Sequence, residues 1–177
     1  QKYLRKYIQT NFIASGFLKN NEVKLKKVKK KYDLMIISEY RNNMDKNKEK
    51  VIKRALSKLS KIINNKKIKV CIALASSRPE KKINQKDEIS FFKKFNFKFD
   101  ILKIGSYELA NKSKMIFSIN SNLGYELLSR KFKVLFFTNG QEPYLKKYPF
   151  ICRIVKLEEI FERLNKIKKK DFKRVLE

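Results

Sequence analysis

An α/β architecture, a doubly wound Rossmann-like parallel sheet, is what three features of this 177-residue chain point to. Apolar runs of strand length alternate with helix-like segments, the pattern of parallel strands joined by crossover helices. Six such steps follow one another from residue 32 to the end. With 42% hydrophobic residues, the chain has enough apolar material for one core of ordinary domain size.

The steps read in order. Residues 32–38, YDLMIIS, make the first strand. In the helix over 47–65, Val51, Ile52, Ala55, Leu56, Leu59, Ile62 and Ile63 fall on one face and the lysines on the other. The second strand, KIKVCIALA, ends at Ala75; a polar turn, SSRPEKK, and a helix, QKDEISFFKKF, come next. FKFDILKI alternates as a short third strand, with Phe97, Phe99 and Ile101 on one side. A short helix, SYELANKS, leads to the fourth strand, KMIFSI, and the helix NLGYELLSRK to the fifth, FKVLFF. After the loop TNGQEPYLKKYP come a sixth strand, FICRIV, and a terminal helix whose Leu157, Ile160, Phe161, Leu164 and Ile167 share a face.

Residues 1–31 stand apart from this pattern. Segment 20–31, NNEVKLKKVKKK, is a lysine-rich connector of low complexity, and before it lies a piece read as helix, strand and a turn at Gly16. Because the chain opens on Gln1 and directly on an apolar pattern, it is expected to be the carboxy-terminal part of something longer, with a partner domain elsewhere.

The formal net charge of +28 raises the question of nucleic acid. Of 45 basic residues, 37 are lysine, in a chain rich in Asn, Ile, Phe and Tyr with four glycines, which is the mark of a coding bias toward A and T. Lysine stems cover apolar helix surface while their ammonium groups stay in water, so the charge reads mainly as a solvated surface that also suits peripheral contact with an anionic membrane face. Phe91, Phe92, Phe136 and Phe137 sit in apolar runs and read as core, not as a base-stacking face. Cys71 and Cys152 lie in apolar runs as small hydrophobes; with no histidine a Cys/His zinc site is excluded, and a reducing, cytoplasmic setting is expected.

In a sheet of order 3-2-1-4-5-6, ligands bind past the carboxyl ends of the strands where the winding reverses, between the first and fourth. The loops there are SEYRNN and NSNLGYE, residues 38–43 and 120–126. A helix starting straight after a strand offers unpaired N–H groups and a partial positive charge to an anion. Ser121 or Asn122 caps that end, Gly124 allows a close approach, Arg41 pairs with the same anion, and Glu126, one turn on, accepts from ribose hydroxyls. An N-cap followed by an acid is also how many plain helices begin.

The order SYELANKSKMIFSINSNLGYELLSRKFKVLFF resembles the donor-site core of bacterial surface-carbohydrate and capsule glycosyltransferases of GT-B architecture, and further similarity covers YIQTNFIASGFLKNN, YDLMIISEYRNN and IALASSRPEK. That resemblance implies the carboxy-terminal, donor-binding half of a GT-B-type transferase. It implies that Ser121 and Asn122 meet donor phosphate or ribose, that Glu126 binds the ribose, and that Ser77, Arg78, Ser106 and Asn120 lie around the same cleft. Asn120 and Asn122 stand where the family has Asp and Thr, and Lys131 where it commonly has glycine. The implied partner is a nucleotide-sugar donor, with no cofactor and no metal, since no Asp-x-Asp clamp is present. No residue here is a convincing general base, so that group is expected on the partner domain. A polyol-phosphate transferase, a basic nucleic-acid-binding protein and a Rossmann-like domain without ligand are the alternatives.

Overall fold

The computed structural model describes residues 24–26, 28–77, 82–119, 121–137, 148–152, 156–168, 171–172 and 174. The segment expected to form a helix, strand and turn before the connector lies outside them, as do Arg78, Asn120 and the loop over 138–147.

Six strands form one parallel sheet in the order β3-β2-β1-β4-β5-β6. They are β1 (Tyr32–Ile37), β2 (Val70–Ala73), β3 (Phe99–Asp100), β4 (Ser113–Ser118), β5 (Val134–Phe137) and β6 (Ile151–Cys152). The helices are α1 (Lys46–Asn65), α2 (Gln85–Lys93), α3 (Ser106–Asn111), α4 (Asn122–Ser129) and α5 (Leu157–Lys166). β1 lies at the centre, with Leu34 opposite Val70 of β2 and Met115 of β4. Parallel pairing is that expected from the alternation of runs, the order is the common doubly wound one, and the winding reverses between β1 and β4.

Right-handed crossovers place α1 and α2 on one face of the sheet and α3 and α4 on the other. Asn64 on α1 donates to the Asn96 carbonyl after α2 at 2.9 Å, and Lys66 meets Glu162 of α5 at 2.6 Å, so α5 closes the first face. Strands β1, β2 and β5 are buried almost end to end, which is why they read as continuous apolar runs. The aromatic residues Phe91, Phe92, Phe136 and Phe137 are buried, as expected. Cys71 is buried too, and that burial pushes its thiol up to about 11.

Most boundaries shift by one or two residues from expectation, and three of the shifts have a structural consequence or cause. β2 stops at Ala73, and Ala75–Ser77 forms a 3-10 turn instead of continuing the strand. β3 is two residues long, the short edge strand of the sheet, and the chain leaves it at Ile101. Helix α1 begins one residue early, because the Asp45 carboxylate accepts from the N–H groups of Asn47 and Lys48.

The scarcity of glycine shows at the helix ends. After α1, Lys67 sits at φ 51°, and after α4, Lys131 sits at φ 64°, both in the left-handed region that favours glycine. The Lys131 N–H donates to Leu128 at 2.8 Å and the Phe132 N–H to Leu127 at 3.1 Å; Lys67 and Ile68 make the equivalent pair with Asn64 and Ile63 at 3.3 and 3.0 Å. These are Schellman closures with lysine in the glycine place. Left-handed backbone costs a side-chain-bearing residue about 1–2 kcal/mol, and glycine returns about 0.5–1 kcal/mol of that as lost chain entropy. Lys67→Gly and Lys131→Gly are therefore each expected to stabilise the fold by about 0.5–1 kcal/mol in urea unfolding; a loss of stability in both would show that the lysine side chains hold the caps.

Gly124, buried in the first turn of α4, has the opposite requirement. A Cβ there would lie 2.8 Å from Ser118 Cβ and 2.9 Å from Phe136 Cε1, and closer still to Ser118 Oγ. Ser118 and Phe136 are neighbours across β4 and β5 and both point at α4, so glycine sets how near this helix lies to the sheet. Gly124→Ala is expected to lower stability by about 1–3 kcal/mol from overpacking, less about 1 kcal/mol of helix propensity gained. An unchanged or raised melting temperature would mean that α4 shifts outward freely.

Candidate functional site

The carboxyl ends of the strands are organised by a carboxylate that the sequence does not advertise. Glu88, in the first turn of α2, is completely buried. Its Oε1 accepts from the Ser38 hydroxyl and from the Ala75 N–H at 2.8 Å, and its Oε2 from the Ser76 N–H at 2.9 Å. A buried carboxylate is tolerable only when such donors surround it. Those donors come from the loop after β1 and the turn after β2, so Glu88 draws both loops onto α2 and bends Ala75–Ser77 into its 3-10 turn. Ser38 Oγ in turn accepts from the Tyr40 N–H at 3.3 Å, extending the tie along the β1 loop.

Two hollows open above this layer. A crevice of about 20 Å³ at the switch point is lined by Ser38, Glu39, Ala75, Ser106, Ser121 and Leu123, among others. The loops after β1 and β4 thus adjoin, as the winding order requires. Beside it, a cleft of about 530 Å³ runs between the β2 end and the β3–α3 loop, with Ser77, Gln85, Lys103 and Ser106 on its rim. Ser106, the first residue of α3, belongs to both hollows.

The residues singled out from sequence divide accordingly. Ser77, Ser106 and Ser121 border the hollows. Asn122 is the exposed first residue of α4. Ser121 occupies the N-cap position, but its hydroxyl makes no capping hydrogen bond, and its N–H donates to Ser118 Oγ at 3.3 Å. Gly124 faces the sheet, and the close approach it permits is that of Ser118 and Phe136. Arg41 is not drawn to the β4 loop. Its Nη1 donates to the Tyr40 carbonyl at 2.6 Å and its Nη2 lies 3.9 Å from Glu39, which holds it on the β1 side.

Glu126 lies in the second turn of α4, which has no acid in its first turn, so a helix-start role does not describe it. Its half-buried carboxylate accepts from the Tyr107 hydroxyl of α3, and the Arg130 guanidinium lies 4.8 Å above the centre of the Tyr107 ring. Tyr107 immediately follows Ser106, so this pair links α4 to the helix that frames both hollows. The pairing of Tyr107 with Glu126 has no signature at fixed spacing, because it depends on α3 and α4 packing side by side. Glu39 and Glu88 are the functional candidates not anticipated from sequence. Neither stands out among 17 acids, and only the fold makes them buried.

Residues 1–176 match the model of a family described as "putative O-antigen biosynthesis protein". No curated protein matches the chain. The UDP-GlcNAc 2-epimerase of Methanocaldococcus jannaschii, solved in complex with UDP-GlcNAc and UDP, is similar at a TM-score of 0.51 and 18% identity, over 84% of this chain and 45% of that one. A second structure of the same enzyme gives a TM-score of 0.48 and 16% identity, over 89% and 46%. This chain spans less than half the length of that enzyme, and the likeness to it is one of fold.

The Glu88 layer is open to a direct test. Glu88→Gln keeps the shape but turns an amide toward donors, and hydrogen bonds to a charged group contribute about 1.5–3 kcal/mol. A stability loss of about 2–4 kcal/mol is expected by urea unfolding, with Ser38→Ala losing less because one oxygen of Glu88 keeps its backbone donor. Equal stability of Glu88→Gln and wild type would remove the clamp from this account.

Proposed function

This chain belongs to the O-antigen biosynthesis protein family, and from that premise we propose that it is the donor-binding part of a glycosyltransferase that moves a sugar from a nucleotide-sugar to a surface polysaccharide or glycolipid acceptor. The observation that carries the reading is the convergence of the β1 and β4 loops at the switch point, with the amino end of α4 and the Glu126–Tyr107 pair beside it.

The first-turn N–H groups of α4, with Ser121 and Asn122, receive the phosphate charge, where a helix amino end favours an anion. Asn120 and Arg78, which neighbour Ser121 and Ser77 in sequence, are proposed as further partners of the phosphates. Arg41 approaches from the β1 loop and exchanges its contact with Tyr40 for a phosphate oxygen. Glu126, oriented by Tyr107, accepts from the ribose hydroxyls, and the cleft edged by Ser77 and Ser106 takes the rest of the nucleoside. When the glycosidic bond to the donor breaks, negative charge builds on the leaving diphosphate, and donors fixed beforehand around it lower the barrier. The acceptor and the general base belong to another domain, and the work is done on the cytoplasmic side. A polyol-phosphate transferase would use the same anion site with a CDP-linked polyol.

Thermal-shift screening with UDP-, GDP-, CDP- and CMP-linked compounds is expected to select a nucleotide-sugar. For that compound, Glu126→Gln is expected to weaken binding by about 1–3 kcal/mol with little change in melting temperature, because a charge-assisted pair of hydrogen bonds is lost. Calorimetric titration of both proteins decides. Undiminished affinity in the variant would remove Glu126 from the ribose, and selection of a CDP-polyol over every sugar would favour the polyol-phosphate transferase.

A further inference from the structure

Glu39 sits at the switch point, two residues past the end of β1, with only 7% of its surface exposed. It lines the 20 Å³ crevice together with Ser106, Ser121 and Leu123. Its partners differ from those of the neighbouring acid. Glu88 is saturated by three hydrogen-bond donors. Glu39 has two cations at longer range, Lys48 Nζ at 3.6 Å and Arg41 Nη2 at 3.9 Å, neither within hydrogen-bond distance. Both cations lie against Oε2, and no described residue is shown donating a hydrogen bond to Oε1, so the carboxylate keeps acceptor capacity. A buried carboxylate in that condition gains most from a ligand that brings O–H donors.

Its sign also decides which part of a ligand can come near. A phosphate placed against a buried carboxylate is repelled, so the anionic centre of a nucleotide-sugar stays at the amino end of α4. The nucleoside runs toward Glu126 and α3. What remains for the β1 side is the uncharged, hydroxylated end. The crevice volume sets the scale: about 20 Å³ is close to the space of one water molecule, so a single hydroxyl enters while the ring stays over the mouth. We propose that Glu39 is a specificity-determining residue that accepts a hydrogen bond from a hydroxyl of the transferred sugar, with Ser106 and Ser121 as the walls of that hydroxyl's pocket. This rests on the nucleotide-sugar reading above and assigns its sugar end.

The test compares each nucleotide-sugar with its own bare diphosphate. Wild type and Glu39→Gln are titrated calorimetrically with UDP-GlcNAc and UDP and with GDP-mannose and GDP, and the pair that wild type binds more tightly is used. Loss of one charge-assisted hydrogen bond is expected to weaken the nucleotide-sugar by about tenfold. The bare diphosphate should change by less than about twofold, since it has no hydroxyl to place in the crevice. Where Glu39→Gln does not fold, Glu39→Asp keeps the charge, shortens the reach and is expected to show the same selective loss. An equal loss for sugar and diphosphate, or no loss for either, overturns the role of Glu39 while leaving the nucleotide-sugar reading in place. Failure of wild type to bind any of these four or any other nucleotide-sugar of the UDP-, GDP-, CDP- and CMP-linked set overturns both.

Discussion

A charge that cannot be left bare inside the protein governs the carboxyl edge of this sheet. Glu88 is fully buried, and the free energy of taking a carboxylate out of water is recovered only if donors meet it from several directions. No donor within α2 can do this, so the loop after β1 supplies a hydroxyl and the turn after β2 supplies two N–H groups. Once those contacts are made, Leu74, Ser77 and Glu39 have little freedom left, and the walls of both hollows follow from them. Gly124 does the same for the far wall. Without a side chain, α4 lies close on β4 and β5, which brings Ser121 within reach of the crevice.

Local sequence carries the sheet and much less of the site, for a physical reason. A parallel strand buried on both faces must be apolar throughout, so β1, β2, β4 and β5 are visible as runs, and the helices between them as one-sided stripes. Their alternation points to a parallel sheet, and the common doubly wound order then puts the winding reversal between β1 and β4. Glu88 reads locally as one more acid near a helix start, since its donors lie 12, 13 and 50 residues away. Glu126 was picked out as a candidate, but its tie to Tyr107, 19 residues earlier, follows from helix packing and leaves no trace at short range. Gly124 was recognised as a place of close approach, while the identity of what approaches it depended on which strand residues face α4. The Ser121 side chain departs from its expected capping bond in the same way: the position is a cap, yet the adjoining contact is made by its backbone to Ser118.

Composition acts on the fold as well as on the surface. With four glycines in the chain, two described helices close on lysines held in left-handed backbone and a third, α2, is followed by Asn96 at φ 52°. Asparagine tolerates that region better than lysine does, so the strain is greatest at Lys67 and Lys131. The exposed lysines of the described residues lie mostly on α1, α2 and α5, which share one face of the sheet, with others at the β3–α3 loop and β4. The hollow of about 720 Å³ on that face is lined by Lys53, Arg54, Lys58, Lys61 and Lys94, so positive charge gathers there, while Phe91, Phe92, Phe136 and Phe137 are buried and supply no stacking platform.

On the nucleotide-sugar reading, the switch point selects by the arrangement of signs at short range. Glu39 stands on the β1 side and Glu126 on the α3 side, with the partial positive end of α4 close to both. A ligand that is anionic in the middle and hydroxylated at both ends satisfies each of these groups, because hydroxyls donate to the carboxylates and phosphate accepts from the helix. A simple phosphate satisfies only the centre, and an extended polyanion such as a nucleic-acid strand would bring like charge against one carboxylate or the other. On that reading, discrimination among anionic ligands rests on these two acids: the net positive charge draws any of these anions closer, and the carboxylates penalise the polyanion once it arrives.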